Sequence, residues 1–386
     1  MVTARTKPDI RLITRMVPRD GNLVQGQSEL AISSDLARAA AAEIAASRNH
    51  YSPAEGTVTL RDAVAKKIEV FNGLIVDPNA RPNELLITHG GTGALVAICH
   101  TYLKNTSVLV FEPYYPYHTK IVEEFGGATV SFPLSGATLS LDVEGLRARC
   151  SELVRRENFP LRAIIVCTPV NPTGKVFSRH ELESIAEICE EFDLLCISDE
   201  VYEHFVIGSE PHISIASLHG MWERTLTVNS FSKSWNISGW RLGYVYGHSS
   251  LIGPLFNAVN VFYVCSPTPL QNALGQVLMQ SEVYYEEMRA RFRNKRARAV
   301  SQLERVGFSV YDSGSAFYLW TNIPSGFGNA MELNDRLIKE AGVAGVPGSA
   351  FSDLYQWDNC MRLCIAREDD VLDSALGKIA GFFGSQ

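Results

Sequence analysis

One lysine stands among hydroxyl residues in the run Ser230-Phe231-Ser232-Lys233-Ser234-Trp235-Asn236-Ile237-Ser238-Gly239-Trp240-Arg241. An amine held beside a carbonyl and partly desolvated becomes a nucleophile that forms a Schiff base. In the same run, Ser230, Ser232 and Arg241 are the small hydroxyls and the guanidinium that a phosphate needs. An aldehyde cofactor carrying a phosphate joins the two requirements, and pyridoxal phosphate is that molecule. Standing alone, the lysine is equally one more solvated surface charge.

Three further runs carry complementary chemistry. Thr88-His89-Gly90-Gly91-Thr92-Gly93-Ala94-Leu95 follows an apolar run and opens a helical pattern. Free backbone N–H groups and the positive end of a helix dipole there suit a phosphate, although a tight turn also accounts for the glycines. Asn171 lies in Cys167-Thr168-Pro169-Val170-Asn171-Pro172-Thr173-Gly174. The following proline biases it toward an extended backbone, with its amide free to donate to a phenolate oxygen; a plain turn is the alternative. Asp199 closes the apolar run Leu194-Leu195-Cys196-Ile197-Ser198, with Tyr202 three residues on. A carboxylate ending a buried strand needs a positive partner, and a protonated pyridine nitrogen is one; a helix N-cap is the bland role. Asn171, Asp199 and Lys233 are separated by 28 and 34 residues, each gap about the size of one strand-helix-strand unit.

These groups require elements that bring them together. Apolar, β-rich runs at Glu84 to Thr88, Ser107 to Phe111, Ala163 to Thr168, Leu194 to Ser198, Thr225 to Asn229 and Leu242 to Tyr246 read as strands. Helical patterns fall between them, as at Gly93 to Leu103 and Arg179 to Phe192. The alternation predicts an α/β fold, a mostly parallel sheet flanked by helices, with ligands at the carboxyl ends of its strands. After Ser281 a long charged helix, short strands near Phe308 to Tyr311 and Ala316 to Thr321, a helix from Met331 to Glu340, a strand at Met361 to Ile365 and a helix at Asp370 to Phe383 read as a smaller α+β domain. The expected division is residues 1–45 as an N-terminal arm and part of the small domain, 46–285 as the large domain, and 286–386 as the small C-terminal domain.

Composition narrows the function classes. Of 386 residues, 46% are apolar and 20% charged, and the net charge of -7 argues against a nucleic-acid or anionic-membrane surface. No apolar run approaches a membrane span, and the first residues lack the apolar core of a signal peptide, so a cytoplasmic protein is expected. The eight cysteines sit mainly in apolar runs and read as reduced core thiols. Cys360 and Cys364 have a spacing open to a metal pair, but without His or Cys partners nearby no metal site is expected.

Taken together, the chain resembles the fold-type I pyridoxal phosphate enzymes, specifically the class I/II aminotransferases. The resemblance rests on Tyr51 through Glu55-Gly56 to Leu60-Arg61, Gly90 to Leu95, Pro113-Tyr114-Tyr115-Pro116-Tyr117, Asn171 to Gly174, Asp199 to Tyr202, Ser230 to Gly243, and Arg362 to Ala366. It implies that Lys233 forms the Schiff base and shuttles a proton, that Asp199 pairs with the pyridine nitrogen, and that Asn171 and Tyr202 contact the ring oxygen. It further implies that Tyr115 stacks on the ring, with Tyr114 and Tyr117 as alternative stackers. Gly91, Thr92, Ser230, Ser232 and Arg241 would hold the phosphate, joined by Tyr51 from the neighbouring subunit of a homodimer with shared sites. Arg362 would clamp the substrate α-carboxylate, and the segment containing Gly26 would line the substrate side. The expected activity is amino transfer from an α-amino acid to a 2-oxo acid by a ping-pong route.

Two departures bear on substrate. No Lys or Arg occurs between Arg241 and Arg289, where dicarboxylate-specific relatives often carry an arginine, and Thr92 stands where others have lysine. An uncharged or aromatic substrate side chain is therefore expected. The segment Leu23-Val24-Gln25-Gly26-Gln27-Ser28 lacks the proline and phenylalanine usual for the family, and Ser315 replaces a common glycine. The first rival is another reaction on the same scaffold: elimination, decarboxylation, cyclisation or oxidative deamination. A ligand-sensing regulator is the second; it would carry a DNA-binding segment for which Tyr51 leaves no room.

Overall fold

The computed structural model describes residues 7–46, 49–208, 210–278, 281–315 and 317–385. The leader reading at residues 1–6 and the strand start at Ala316 lie outside them.

Seven strands form the main sheet: β1 (Leu85–His89), β2 (Ser107–Glu112), β3 (Ala128–Pro133), β4 (Leu161–Cys167), β5 (Leu195–Asp199), β6 (Thr225–Ser230) and β7 (Leu242–Tyr246). Their spatial order is β1-β7-β6-β5-β4-β2-β3. The pairings from β3 to β6 are parallel, and β7 runs antiparallel to both β6 and β1. Side chains alternate between two cores, as the period of a strand dictates. Leu109, Ile164, Val166 and Cys196 pack with Leu182, Ile185 and Ile188, whereas Val108, Val110, Ile165 and Ile197 pack with Ala94, Ile98 and Leu255. Burial on both faces explains why these strands read as continuous apolar runs. The helix Arg179–Glu191 starts at a capping box, Ser178 Oγ accepting from Glu181 N and the Glu181 carboxylate accepting from Ser178 N.

A second, antiparallel sheet has the order β10-β11-β9-β8, with β8 Ser309–Val310, β9 Tyr318–Asn322, β10 Val346–Pro347 and β11 Cys360–Cys364. The helices Ser281–Arg305 and Asp369–Gly384 share its core through Leu303, Leu319, Leu363, Leu372 and Leu376. Residues near the N-terminus join this sheet: Asn22 bridges Ala344, and Leu23 O accepts from Cys364 N at 2.8 Å. Two strands were not anticipated. β3 sits at the sheet edge, half-exposed and with Thr129 and Ser131 among its residues, and β10 has only two residues.

All eight cysteines are free, and seven are buried. Among the described residues, Cys360 and Cys364 belong to no cluster with metal-binding geometry.

Candidate active site

β4, β5 and β6 are adjacent and parallel, so their carboxyl ends open on one side. Asn171 follows β4, Asp199 ends β5, and Ser230 ends β6. Ser230 also caps the short helix Phe231–Ser234: its hydroxyl accepts from Ser232 N at 3.2 Å and donates to Ser232 Oγ at 2.9 Å. One turn on, Lys233 Nζ donates to Gly26 O at 2.6 Å. Burial lowers the pKa of this amine to about 8, the nearby charges of Arg362 and Arg241 adding to the effect.

Asp199 is buried, and its Oδ2 lies 2.7 Å from His118 Nε2. His118 comes from the helix Pro116–Glu124, and its ring meets Tyr115 edge-on at 5.3 Å. Tyr115 also stacks on Tyr117 at 5.3 Å. Tyr114 turns away: its hydroxyl bonds to Asp353 and Lys7. Of the three tyrosines open to the stacking role, Tyr115 is the one in contact with His118.

Tyr202 OH and Tyr318 OH are 2.8 Å apart. Burial raises both hydroxyls, Tyr318 to about 12, so they stay protonated at neutral pH. Arg362, from β11, lies with its guanidinium 4.4 Å from the Tyr318 ring centroid and 4.9 Å from that of Phe351. It donates to Asn171 Oδ1 at 2.8 Å and to Val24 O at 2.6 Å, while its buried Nε has no partner among the described residues. A planar fork with an unused buried N–H on one edge suits a carboxylate. Gly26 is required by contact: a Cβ there would lie 2.1 Å from Tyr318 OH.

The helix Gly90–Tyr102 begins beside β6 with no side chain capping its first turn, so its leading N–H groups are open to an anion. Gly90 has φ +67°, and a Cβ would approach Arg241 Nη2 to 2.7 Å; at Gly91 a Cβ would press on Val201 and Val228 at 3.3 and 3.4 Å. Arg241, exposed and itself at φ +55°, donates to His89 O at 3.2 Å and to Ser238 O at 2.9 Å. Thr92 is exposed at the same helix end. Tyr51 stands apart, 85% exposed.

The residues singled out from sequence thus gather from both sheets, Tyr51 excepted. Sequence reasoning missed His118, Tyr318 and the carbonyls of Val24 and Gly26. The histidine three residues beyond Tyr115 was a usable signal; the carbonyls leave none. Ser315, whose replacement of glycine had no account, is buried and forms a bridge with Val206.

The profile of the family described as aminotransferase class I and II matches residues 21–379. A probable N-succinyldiaminopimelate aminotransferase of Mycobacterium tuberculosis is 32% identical over 93% of this chain and 91% of its own. An aromatic-amino-acid aminotransferase of Thermococcus litoralis is 33% identical over 86% of this chain and 83% of its own. The solved structure of the M. tuberculosis N-succinyldiaminopimelate aminotransferase superposes with a TM-score of 0.90 at 32% identity, covering 98% of this chain and 97% of that one.

Proposed function

The chain belongs to the class I and II aminotransferases, and from that premise we propose how its residues carry out the reaction and which substrates it takes. Its activity is transamination and its cofactor pyridoxal 5′-phosphate. The residues present fit that group: a buried carboxylate that would suit a protonated ring nitrogen, a tyrosine hydroxyl that would suit a ring oxygen, and an uncapped helix end with two serines and an arginine that would suit a phosphate dianion. When bound, the cofactor supplies an aldehyde and an electron-accepting ring.

Lys233 is the nucleophile and then the proton carrier at the substrate Cα. Its lowered pKa keeps a share of the amine unprotonated near neutral pH, as both tasks require. Asp199, held by His118, keeps a ring nitrogen protonated. Asn171 and Tyr202 address the ring oxygen, and Tyr115 covers the ring face. Gly91, Thr92, Ser230, Ser232 and Arg241 bind the phosphate. Arg362 receives the α-carboxylate on its open edge, with Gly26 and Val24 forming the wall of the substrate side.

The observation that carries these roles is the convergence of Asn171, Asp199 and Lys233 at three adjacent strand ends, facing Arg362 from the second sheet. Relatives matched over most of both chains are named aminotransferases, so elimination or decarboxylation on the same scaffold is not favoured. The absence of Lys and Arg between Arg241 and Arg289 supports an uncharged or aromatic side chain on the amino donor. We propose a large domain over 46–285 and a small one over 286–386, with the 1–45 arm completing the latter.

Incubation with single amino acids and no oxo acid tests the reading. Aromatic and uncharged donors should convert the bound cofactor once to its amine form and then stop, and Lys233→Ala should do neither. Continuous turnover without an oxo acid, or conversion by Lys233→Ala, would overturn it.

A further inference from the structure

Beneath the serines assigned to the phosphate lies a buried ion pair that the catalytic roles above do not use. Lys67, the last residue of the helix Val58–Lys67, meets Glu203 in the interior, with side chains 6% and 2% exposed. Glu203 also accepts from Asn229 Nδ2 at 2.5 Å and from Asn72 Nδ2 at 2.9 Å. Lys67 is satisfied in turn by Asn72 Oδ1 at 3.0 Å, with the ring of Phe71 4.9 Å away. Burial alone would raise the Glu203 carboxyl, but the charge of Lys67, then His204 and His212, and the Lys67 hydrogen bond hold it down to about 2.

A carboxylate is an acceptor only, so the amide of Asn229 can face Glu203 only with its NH2. That fixes the other end of the amide: Asn229 Oδ1 accepts from Ser230 N at 2.7 Å. Ser230 is the residue whose hydroxyl caps Ser232 N and bonds to Ser232 Oγ, one residue before Lys233. A continuous chain of directed hydrogen bonds therefore runs from Lys67 through Glu203 and Asn229 to the serine pair. Buried ion pairs contribute little net stability compared with apolar residues of similar volume, so stability alone does not explain this one.

We propose that the Lys67–Glu203 pair, acting through the oriented amide of Asn229, positions Ser230 and Ser232 to receive the cofactor phosphate. Lys67, Glu203 and Asn229 are positioning residues and touch no reacting atom. This inference rests on the assignment of Ser230 and Ser232 to the phosphate.

The test uses full-length apoenzyme titrated with pyridoxal 5′-phosphate, the dissociation constant being read from absorbance and the bound phosphate from its phosphorus NMR shift. Asn229→Leu removes both hydrogen bonds and should weaken binding roughly tenfold, with a displaced phosphorus resonance. Should the leucine variant fail to fold, Lys67→Met/Glu203→Leu replaces the pair without stranding a charge. It leaves the Asn72 and Asn229 amides without Glu203 and so melts below the parent, and it should also lose affinity by a similar factor with a displaced resonance. A purely structural role predicts the lower melting temperature with unchanged affinity and resonance, and that result in the double variant would overturn the proposal. Ser230→Ala separates the two readings. If it weakens binding while the double variant does not, only the positioning role fails; if it too binds normally, the phosphate assignment fails first.

Discussion

Lys233 is held where its charged form is disfavoured, and this has a consequence for the empty protein as well as for catalysis. Its pKa falls from the ordinary 10.5 to about 8, chiefly through burial. Below about pH 8 both folded and unfolded chains carry the proton, and the folded state bears the full cost of burying it. As pH rises toward 10.5 the folded amine is neutral first, so the cost fades. The apoenzyme of Lys233→Met should therefore melt above the parent apoenzyme at pH 7, with the difference shrinking as pH approaches 10.5. Thermal melts across that range check it, and a lower melting point for the variant at pH 7 would contradict the burial argument. At this scale much of the site was legible. Lys233, Asp199 and Asn171 each stand at or just beyond the end of a run read as a strand, and although each has a bland role alone, their chemistries complement one another. His118 offered only its spacing three residues beyond Tyr115; its contact with Asp199, across 81 residues from the face of a helix, was not legible. Nor was Tyr318, which in a strand is one more aromatic until Arg362 and Tyr202 are seen around it.

The elements that carry Arg362 depend on electrostatics at one helix end. The helix Asp369–Gly384 begins with Asp369, whose carboxylate receives Lys295 Nζ at 2.9 Å and Arg298 Nη2 at 2.8 Å from the helix Ser281–Arg305. Lys295 is buried and, among the described residues, has one other acceptor, Arg367 O at 2.7 Å. The hydrogen bond from Lys295, assisted by Arg298, holds the Asp369 carboxyl well below the usual carboxylate range. Asp369→Ala should cost about 2 kcal/mol, because it leaves a buried ammonium with one carbonyl and removes an anion from a helix N-terminus. Denaturant unfolding at pH 7 measures the loss. Sign follows from the lowered pKa: the contribution is complete above the ordinary carboxyl pKa and is lost as pH falls below it, so parent and variant should converge in acid. Both helices were readable from their periodicity and charge. β3 was not, because an edge strand with Thr129 and Ser131 has no continuous apolar run, and its place beside β2 is set by the sheet rather than by its own pattern.

Across the whole molecule, one cluster of exposed apolar residues stands where a second copy would be useful. Val261 is 77% exposed and Val264 49%, next to Tyr263, whose hydroxyl donates to Gly93 O at 3.1 Å in the phosphate-side helix. Tyr51 stands equally free of its own chain's site. Single exposed apolar residues are ordinary, but a cluster beside a ligand site points to a protein partner. In a homodimer of the kind the resemblance implies, Tyr51 of each subunit would complete the other's phosphate site, and a two-fold axis would make the exchange reciprocal. The arrangement predicts complementation. Tyr51→Ala should bind cofactor weakly at both sites, and Lys233→Ala should be inactive at both. A hybrid of the two has one site with an intact Lys233 and, across the interface, an intact Tyr51; its other site carries both lesions. Equal amounts of the two variants, unfolded and refolded together, should therefore recover roughly a quarter of parental activity at limiting cofactor, since half the dimers are hybrids with one good site each. The two variants refolded separately and then mixed should show only the residual activity of Tyr51→Ala. Equal activity in both preparations would mean that each subunit closes its own site, leaving the exposed tyrosine without a role in the partner.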